Sequence, residues 1–433
     1  MGSLQVLSTE EWLTAVRKRL GTADCEVLDV TVNKLGGDVS GFLGEHLQAK
    51  VSVIARCEKQ ELAFFVKVIP HGDSNQKHNE FVLSSQGFPK ETGLYSRVLH
   101  LYPDSEVAWG PRCYFTRPDL LVLEDLIKQK FRILGRFTYL DYSHCALLLR
   151  SLAVFHAGSI ILEEKRAKIS GEKYKLNELY PDLLFENLFV DDERFKFNEW
   201  YHSVVESLTS ALSLLEIYGS KVDVRKINTP AFKEFLYQIF ELIKPSRKYK
   251  NVLSHGDLWT NNILYKYDEE DDKTPVDVRM VDFQLARYTP PAVDVMSFLH
   301  LNTTREFRKT HKYQLLSEYH TSLREELSRH GYKVEHLLPW TEFKQSCHVY
   351  KTVGCIIAPS YHHINTMSQE VLDQYLNESN AFDGFFLVNR IKQMAACCEI
   401  DNYYRERLVA ELGELAELIL RKQDGKTTKL PNT

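Results

Sequence analysis

The sequence predicts an α+β chain of two lobes, a small β-rich lobe followed by a larger and mostly helical one. Three observations carry this. Period-two hydrophobic runs around a glycine-bearing turn fill residues 27–69, and helical periodicity dominates from about residue 141 to Arg421. A chain of 433 residues with 44% hydrophobic content is also long enough for two cores. The division reads as residues 1–126, residues 127–422 and a polar tail at 423–433.

Each element has its own signal. Residues 9–20 read as a short helix with Thr9 as cap and Trp12, Leu13, Val16 and Leu20 on one face. Val27 to Lys34 alternates, a turn runs from Leu35 to Gly44, and Leu47, Ala49, Val51 and Val53 resume the period of two. The run Leu62 to Ile69 completes this part. Pro89 suits the first turn of a helix reaching about Leu101, with Glu91 in that turn. Leu120 to Leu126 reads as a buried strand entering a connector. A helix from about Asp141 to Leu162 buries Cys145, Leu148, Leu149, Leu152 and Phe155. Residues 163–250 are charged and irregular, with helical pieces around 197–217 and 230–244. Strands return on either side of the acidic turn Asp268 to Asp272, which reads as a solvated hairpin tip. The remainder is helical, ending in an amphipathic helix through Leu408, Leu412, Leu415 and Ile419. Strands, one helix and a strand before a helix-rich half is the order of a two-lobed kinase-like fold.

Composition narrows the partners. A formal net charge of −5 disfavours nucleic acid or an anionic membrane, since neither would meet a basic stripe. Eight cysteines without a CxxC pair read as reduced thiols of a cytoplasmic protein. Charges at Glu10, Glu11, Arg17, Lys18 and Arg19 interrupt any leader. No uncharged run approaches the ~18 apolar residues of a spanning helix. No obligate protein partner is expected.

The chemistry lies in Leu253-Ser254-His255-Gly256-Asp257-Leu258-Trp259-Thr260-Asn261-Asn262 and, downstream, in Met280-Val281-Asp282-Phe283-Gln284. Phosphoryl transfer from a metal–nucleotide complex needs one Asp to accept the proton of the attacking hydroxyl. It also needs an Asn five positions on, and an Asp on the next strand, to hold divalent metal against the phosphates. Asp257, Asn262 and Asp282 stand in that order, the two aspartates 25 positions apart with the acidic hairpin taking up the room. Asn261 competes with Asn262, and the spacing favours Asn262. His255 reads as a brace for the loop, and Trp259 as packing beneath it. Asp294 reads as a helix cap that also braces the loop.

Lys67 lies within Phe64-Phe65-Val66-Lys67-Val68-Ile69, where an ammonium is costly to bury without a partner. Its role would be to hold the α- and β-phosphates, tied to a helix carboxylate, with Glu91 the first choice and Glu80 the second. Gly37, within the turn from Gly36 to Gly44, could lie over the phosphates, where missing side chains let backbone N–H groups approach. Leu123, Glu124 and Leu126 would give backbone hydrogen bonds to adenine.

With these residues in view, the chain resembles the ecdysteroid kinase-like family, itself related to choline and aminoglycoside phosphotransferases. The resemblance spans roughly residues 30–345 and is strongest at His255 to Asn262 and at Val281-Asp282-Phe283-Gln284-Leu285-Ala286-Arg287-Tyr288. It is supported by Phe65-Val66-Lys67-Val68, the spaced Phe88, Glu91 and Tyr95, Leu123-Glu124-Asp125-Leu126, and Leu152-Ala153-Val154-Phe155-His156-Ala157. It implies phosphorylation of a small-molecule hydroxyl with ATP and Mg²⁺. It carries the base onto Asp257, metal ligation onto Asn262 and Asp282, phosphate contact onto Lys67 and its ion pair onto Glu91. The glycine turn departs from the Asn-Tyr-Ala-Ser type of loop seen in many members.

Only 12 positions separate Asp282 from Asp294 and no Ala-Pro-Glu follows, which argues against a protein kinase needing an activation segment to dock a peptide. The acceptor pocket would form from residues 163–250 and the C-terminal helices, with aromatics such as Tyr350 and Tyr361. A steroid-like or xenobiotic alcohol, a choline, ethanolamine or aminoglycoside type of acceptor, and a catalytically silent nucleotide-binding module are the alternatives left open.

Overall fold

The structure is a computed structural model that describes residues 6–35, 45–69, 80, 83–135, 138–367 and 387–423. The chain begins with α1 (Thr9–Leu20), whose cap is Ser8 rather than Thr9. Ser8 Oγ accepts from Glu11 N at 3.3 Å while Ser8 N donates to Glu11 Oε2 at 2.7 Å, a reciprocal capping box. Thr9 therefore begins the helix itself.

Strands β1 (Cys25–Lys34), β2 (Glu45–Ala55), β3 (Glu58–Val68), β4 (Cys113–Arg117) and β5 (Leu120–Glu124) form an antiparallel sheet in the order β1-β2-β3-β5-β4. Alternation decides its faces. Leu47, Ala49, Val51 and Val53 point one way with Phe64, Val66 and Val122, and Trp12, Ala15 and Val16 of α1 cover them. Between β3 and β4 runs α2 (Gly87–Arg97), which stops four residues short of the expected Leu101; a single 3-10 turn, Leu99–Leu101, follows. Its Leu94 and Tyr95 join Leu121 and Leu123 in the main core, so α2 lies on the opposite face of the sheet from α1.

The second lobe is built around α3 (Tyr142–Ser170), capped by Asp141, whose carboxylate accepts from His144 N at 3.0 Å. This helix passes the expected Leu162 by two turns, because Glu163 is buried and bonded rather than a breaker. By length and composition α3 could also cross a membrane, contrary to the reading of the sequence, but 83% of its apolar window is buried inside the protein. Its hydrophobicity serves the core.

Helices α4 (Lys196–Ile217), α5 (Thr229–Tyr237), α6 (Pro291–Asn302), α7 (Arg305–Arg329), α8 (Trp340–Asn365), α9 (Ile391–Ile400) and α10 (Asn402–Gln423) complete the lobe. Leu408, Leu412, Leu415 and Ile419 of α10 are buried, as their spacing predicts. Two small sheets pack against α3. One has the order β6 (Arg132–Ile133), β8 (Ile263–Tyr267), β9 (Pro275–Met280), and the other pairs β7 (Val252–Ser254) with β10 (Arg287–Thr289). The arrangement is a two-lobed, protein-kinase-like fold, with a β-rich lobe before a helical one.

Candidate active site

Two hairpins place the reactive groups. In β8–β9, Ile263 pairs with Met280, so Asn262 and Val281 face each other at the open end, and Val281 N donates to Asn262 O at 3.0 Å. Asp282 follows directly, in a left-handed backbone conformation (φ 70°) that turns its carboxylate out of the strand direction. The acidic tip is exposed at the other end, with Glu269 and Asp272 paired to Lys130 and Arg132. In β7–β10, Ser254 pairs with Arg287, which joins the start of the Asp257 loop to the end of the Asp282 segment.

The loop between β7 and β8 is held from behind. Asp294 in the first turn of α6 accepts from His255 N at 2.6 Å and Gly256 N at 2.9 Å, and its Oδ2 meets His156 Nε2 at 3.1 Å. Burial alone would raise this carboxyl, but His156 and the loop amide outweigh it and hold it below its ordinary value. Asp294 thus braces the loop as expected. It does not cap α6, whose cap position is Pro290. Gly256 has φ 84°, and a Cβ there would lie 2.1 Å from Leu285 O, so only glycine lets the loop pass this close.

His255 is fully buried; its Nε2 meets the carbonyl of Val281 at 3.0 Å and its Nδ1 accepts from Asp257 N at 3.3 Å. Carbonyl on one side and amide on the other require the neutral Nε2–H tautomer, and burial lowers the imidazole's pKa accordingly. This is the brace the sequence suggested.

Asp257 is therefore presented rather than free. Its Oδ2 accepts from Asn262 Nδ2 at 2.8 Å, and the same amide donates to Asp257 O at 2.9 Å. Its Oδ1 is buried and has no hydrogen-bond partner among the described residues. Burial, then the charge of Asp282, raise the carboxyl to about 7. Trp259 and Tyr361 stand beside it. Tyr361 comes from α8, as one of the two expected acceptor-side aromatics; the other, Tyr350, packs against Tyr249.

Across from the loop, Lys67 of β3 is 3% exposed and donates to Glu91 Oε2 of α2 at 2.7 Å and Asp282 Oδ1 at 3.1 Å. Burial opposes the charge, but the Asp282 and Glu91 carboxylates outweigh it and hold the ammonium above the ordinary lysine value. The same ammonium overcomes burial to lower Asp282. Glu91 Oε1 also accepts from Phe283 N at 3.0 Å, so one carboxylate ties α2 to both β3 and the Asp282 segment. Glu80, the second choice for Lys67, is exposed and does not take that place.

At the end of β5, Glu124 N donates to Arg112 O at 2.9 Å, and Leu126 O accepts from Gln129 N and Phe131 N, each at 3.0 Å. These two groups are engaged within the chain, so the backbone hydrogen bonds to adenine expected of Leu123, Glu124 and Leu126 would use the others. Gly37 and the remainder of the glycine turn lie outside the described residues. Sequence reasoning missed the aromatic seam behind the site. Phe283 packs its ring 5.8 Å from Tyr95, 5.6 Å from Trp109, 5.4 Å from Phe155 and 4.7 Å from His255. Tyr95, Phe155, His255 and Phe283 each lay in a quoted motif, but nothing in the sequence joined them, and Trp109 had no motif to mark it.

The donors available for a metal are a carboxylate, Asp282, and an amide, Asn262, joined at the mouth of one hairpin. Oxygen donors of this kind fit Mg²⁺ carried by a polyphosphate, which keeps much of its own hydration and needs few protein ligands.

Among curated proteins, none matches by sequence. Among solved structures, similarity is found to a Plasmodium vivax ethanolamine kinase at 14% identity, covering 87% of this chain and 83% of that one with a TM-score of 0.40. A microcompartment-associated aminopropanol kinase is similar at 12% identity over 93% and 95%, with a TM-score of 0.37. A GDP complex of an aminoglycoside 2'-phosphotransferase is similar at 13% identity over 96% and 100%, with a TM-score of 0.33. One family model matches residues 39–332, more than half the chain and the whole span from β2 through α7 that holds the site. The chain belongs to the ecdysteroid kinase-like family.

Proposed function

We propose that this protein is a small-molecule kinase that moves the terminal phosphoryl group of ATP, carried with Mg²⁺, onto a hydroxyl. The observation that carries the reading is the pairing of two preparations on facing elements. Lys67 is fixed between Glu91 and Asp282, and Asp257 keeps one buried oxygen unpartnered. A buried, unpartnered carboxylate oxygen is costly unless something supplies a donor, and an acceptor hydroxyl does so.

In this reading the hydroxyl donates to Asp257 Oδ1, and its oxygen forms the new bond to the γ-phosphorus as the proton passes to Asp257. The bond from that phosphorus to the bridging oxygen of ADP breaks. Mg²⁺ would be held by Asp282 and Asn262 and would supply charge neutralisation at the phosphates. Lys67 binds phosphate oxygen. Asn262 orients Asp257, and the burial that raises Asp257 also makes it a competent proton acceptor near neutral pH.

The path from Asp282 to α6 is short and occupied by β10, which leaves a peptide substrate no extended segment to lie along. A compact acceptor suits this better. Tyr361 and Trp259 beside Asp257 favour an acceptor with apolar surface around its hydroxyl, as a steroid-like or xenobiotic alcohol has, over a fully solvated polyol. The test is a mass screen of hydroxylated small molecules incubated with protein, ATP and Mg²⁺. A steroid-like alcohol should gain one phosphoryl mass. No mass gain on any acceptor, with ATP bound, would favour a silent module. Gain only on choline or ethanolamine would overturn the acceptor class.

A further inference from the structure

Glu91 reaches Lys67 only if α2 is held at one height and one rotation, and its neighbour Lys90 is where that hold is made. Lys90 points the other way, into the helical lobe, and is 1% exposed. Its Nζ donates to Phe185 O at 2.6 Å and to Asn187 Oδ1 at 3.0 Å. Asn187 is fully buried, and its amide nitrogen donates to Ser85 O at 3.0 Å and Gln284 O at 3.2 Å. One amide side chain therefore ties the residues entering α2, α2 itself and the Asp282 segment to a single loop. The contact is close: a Cβ on Gly93 would lie 2.4 Å from Leu183 Cδ2.

We propose that Asn187 and Lys90 are positioning residues that clasp α2 to the helical lobe and so keep Glu91 against Lys67. In kinases whose corresponding helix swings, the lysine–glutamate pair has to be assembled by modification of an activation segment. Here Lys90 Nζ and Asn187 Nδ2 together make four hydrogen bonds, to Phe185 O, Asn187 Oδ1, Ser85 O and Gln284 O, and breaking any of them strands a polar group away from water. The pair is therefore in place in the unmodified chain. The consequence for nucleotide binding rests on the function proposed above; the clasp itself does not.

The test separates the two. In the protein without nucleotide, hydrogen exchange at the Phe283 amide reads the position of Glu91, which accepts from it. Exchange at the Gly256 amide, held by Asp294, serves as the control. Asn187→Ala and Lys90→Met should each speed exchange at Phe283 and leave Gly256 protected. Unchanged protection at Phe283, or equal loss at both amides, would overturn the clasp. Lys90→Met keeps the buried stem, so the readout survives if Asn187→Ala folds poorly.

Mg²⁺–ATP affinity is then measured by fluorescent-nucleotide titration for Asn187→Ala, Glu91→Gln and the double variant. Each single variant should weaken binding by roughly tenfold, as loss of supporting contacts around a ligand site commonly does. The double variant should be no weaker than Glu91→Gln alone, because Asn187 acts through Glu91. Multiplying losses would overturn action through Glu91. If Glu91→Gln itself binds like wild type, the nucleotide reading fails while the exchange result still decides the clasp.

Discussion

At the scale of single residues, Asp257 sets the sharpest expectations. With its carboxyl at about 7, the base is ionised above neutrality, so kcat/KM for the acceptor should fall with unit slope as pH drops below about 7. A flat profile from pH 8 to 5 would place the proton elsewhere. The same shift makes a stability claim. The folded value lies above the ordinary 3.8, so between those pH values the folded chain holds a proton that the unfolded chain releases. Stability is therefore lost as pH rises through that window. Asp257→Asn removes the buried charge and should melt a few degrees above wild type at pH 8, with the gap closing toward pH 4. A gap that grows on acidification would contradict the sign. Asp282→Ala should weaken Mg²⁺–ATP binding as well as turnover, and it also leaves Lys67 with only Glu91. A titration showing intact Mg²⁺–ATP affinity in that variant would remove Asp282 from the metal.

At the scale of elements, the loop between β7 and β8 depends on a glycine and on a carboxylate from α6. Gly256→Ala would force a Cβ against the Leu285 carbonyl in a left-handed backbone and should cost at least about 2 kcal/mol in urea unfolding. A near-neutral change would mean that the loop has room to shift. Much of this element was readable in advance. The order Asp257, Asn262, Asp282 is local in sequence, and the hairpin between Asn262 and Asp282 announces itself by its charged tip. The brace from Asp294 was also legible, although its geometry as a cap was not, since Pro290 takes that position. The cap of α1 fell on Ser8 because two adjacent hydroxyls compete and only Ser8 sits three residues before Glu11. The length of α3 was underestimated because Glu163 to Lys165 reads as a solvated end, whereas Glu163 is buried and bonded to Tyr288 and Leu176 N.

At the scale of the whole molecule, the site is a product of contacts between distant parts of the chain. Lys67, Glu91 and Asp282 meet from β3, α2 and the turn after β9, and Tyr361 arrives from α8. The sequence shows which residue types are present but not which loop clasps which helix. Asn187 lies in a stretch without periodicity, so neither pattern nor motif marked it; nothing marked Trp109 either, and Phe155 read as helix core. Long-range polar satisfaction and aromatic seams are decided by packing, which a single chain read in order does not display. The lobes themselves were readable because their periodicities differ, two before residue 70 and 3.6 after residue 140.

These convergent groups are proposed to transfer a phosphoryl group to a hydroxyl. The most direct measurement follows ³¹P resonances at pH 8 with ATP, Mg²⁺ and an acceptor from the mass screen, for wild type and Asp257→Asn side by side. Wild type should convert ATP to ADP and a phosphomonoester in equal amounts, while Asp257→Asn still binds ATP but runs slower by roughly 10²–10⁴. Equal rates in the two proteins, or ADP and free phosphate with no phosphomonoester, would contradict the proposed transfer.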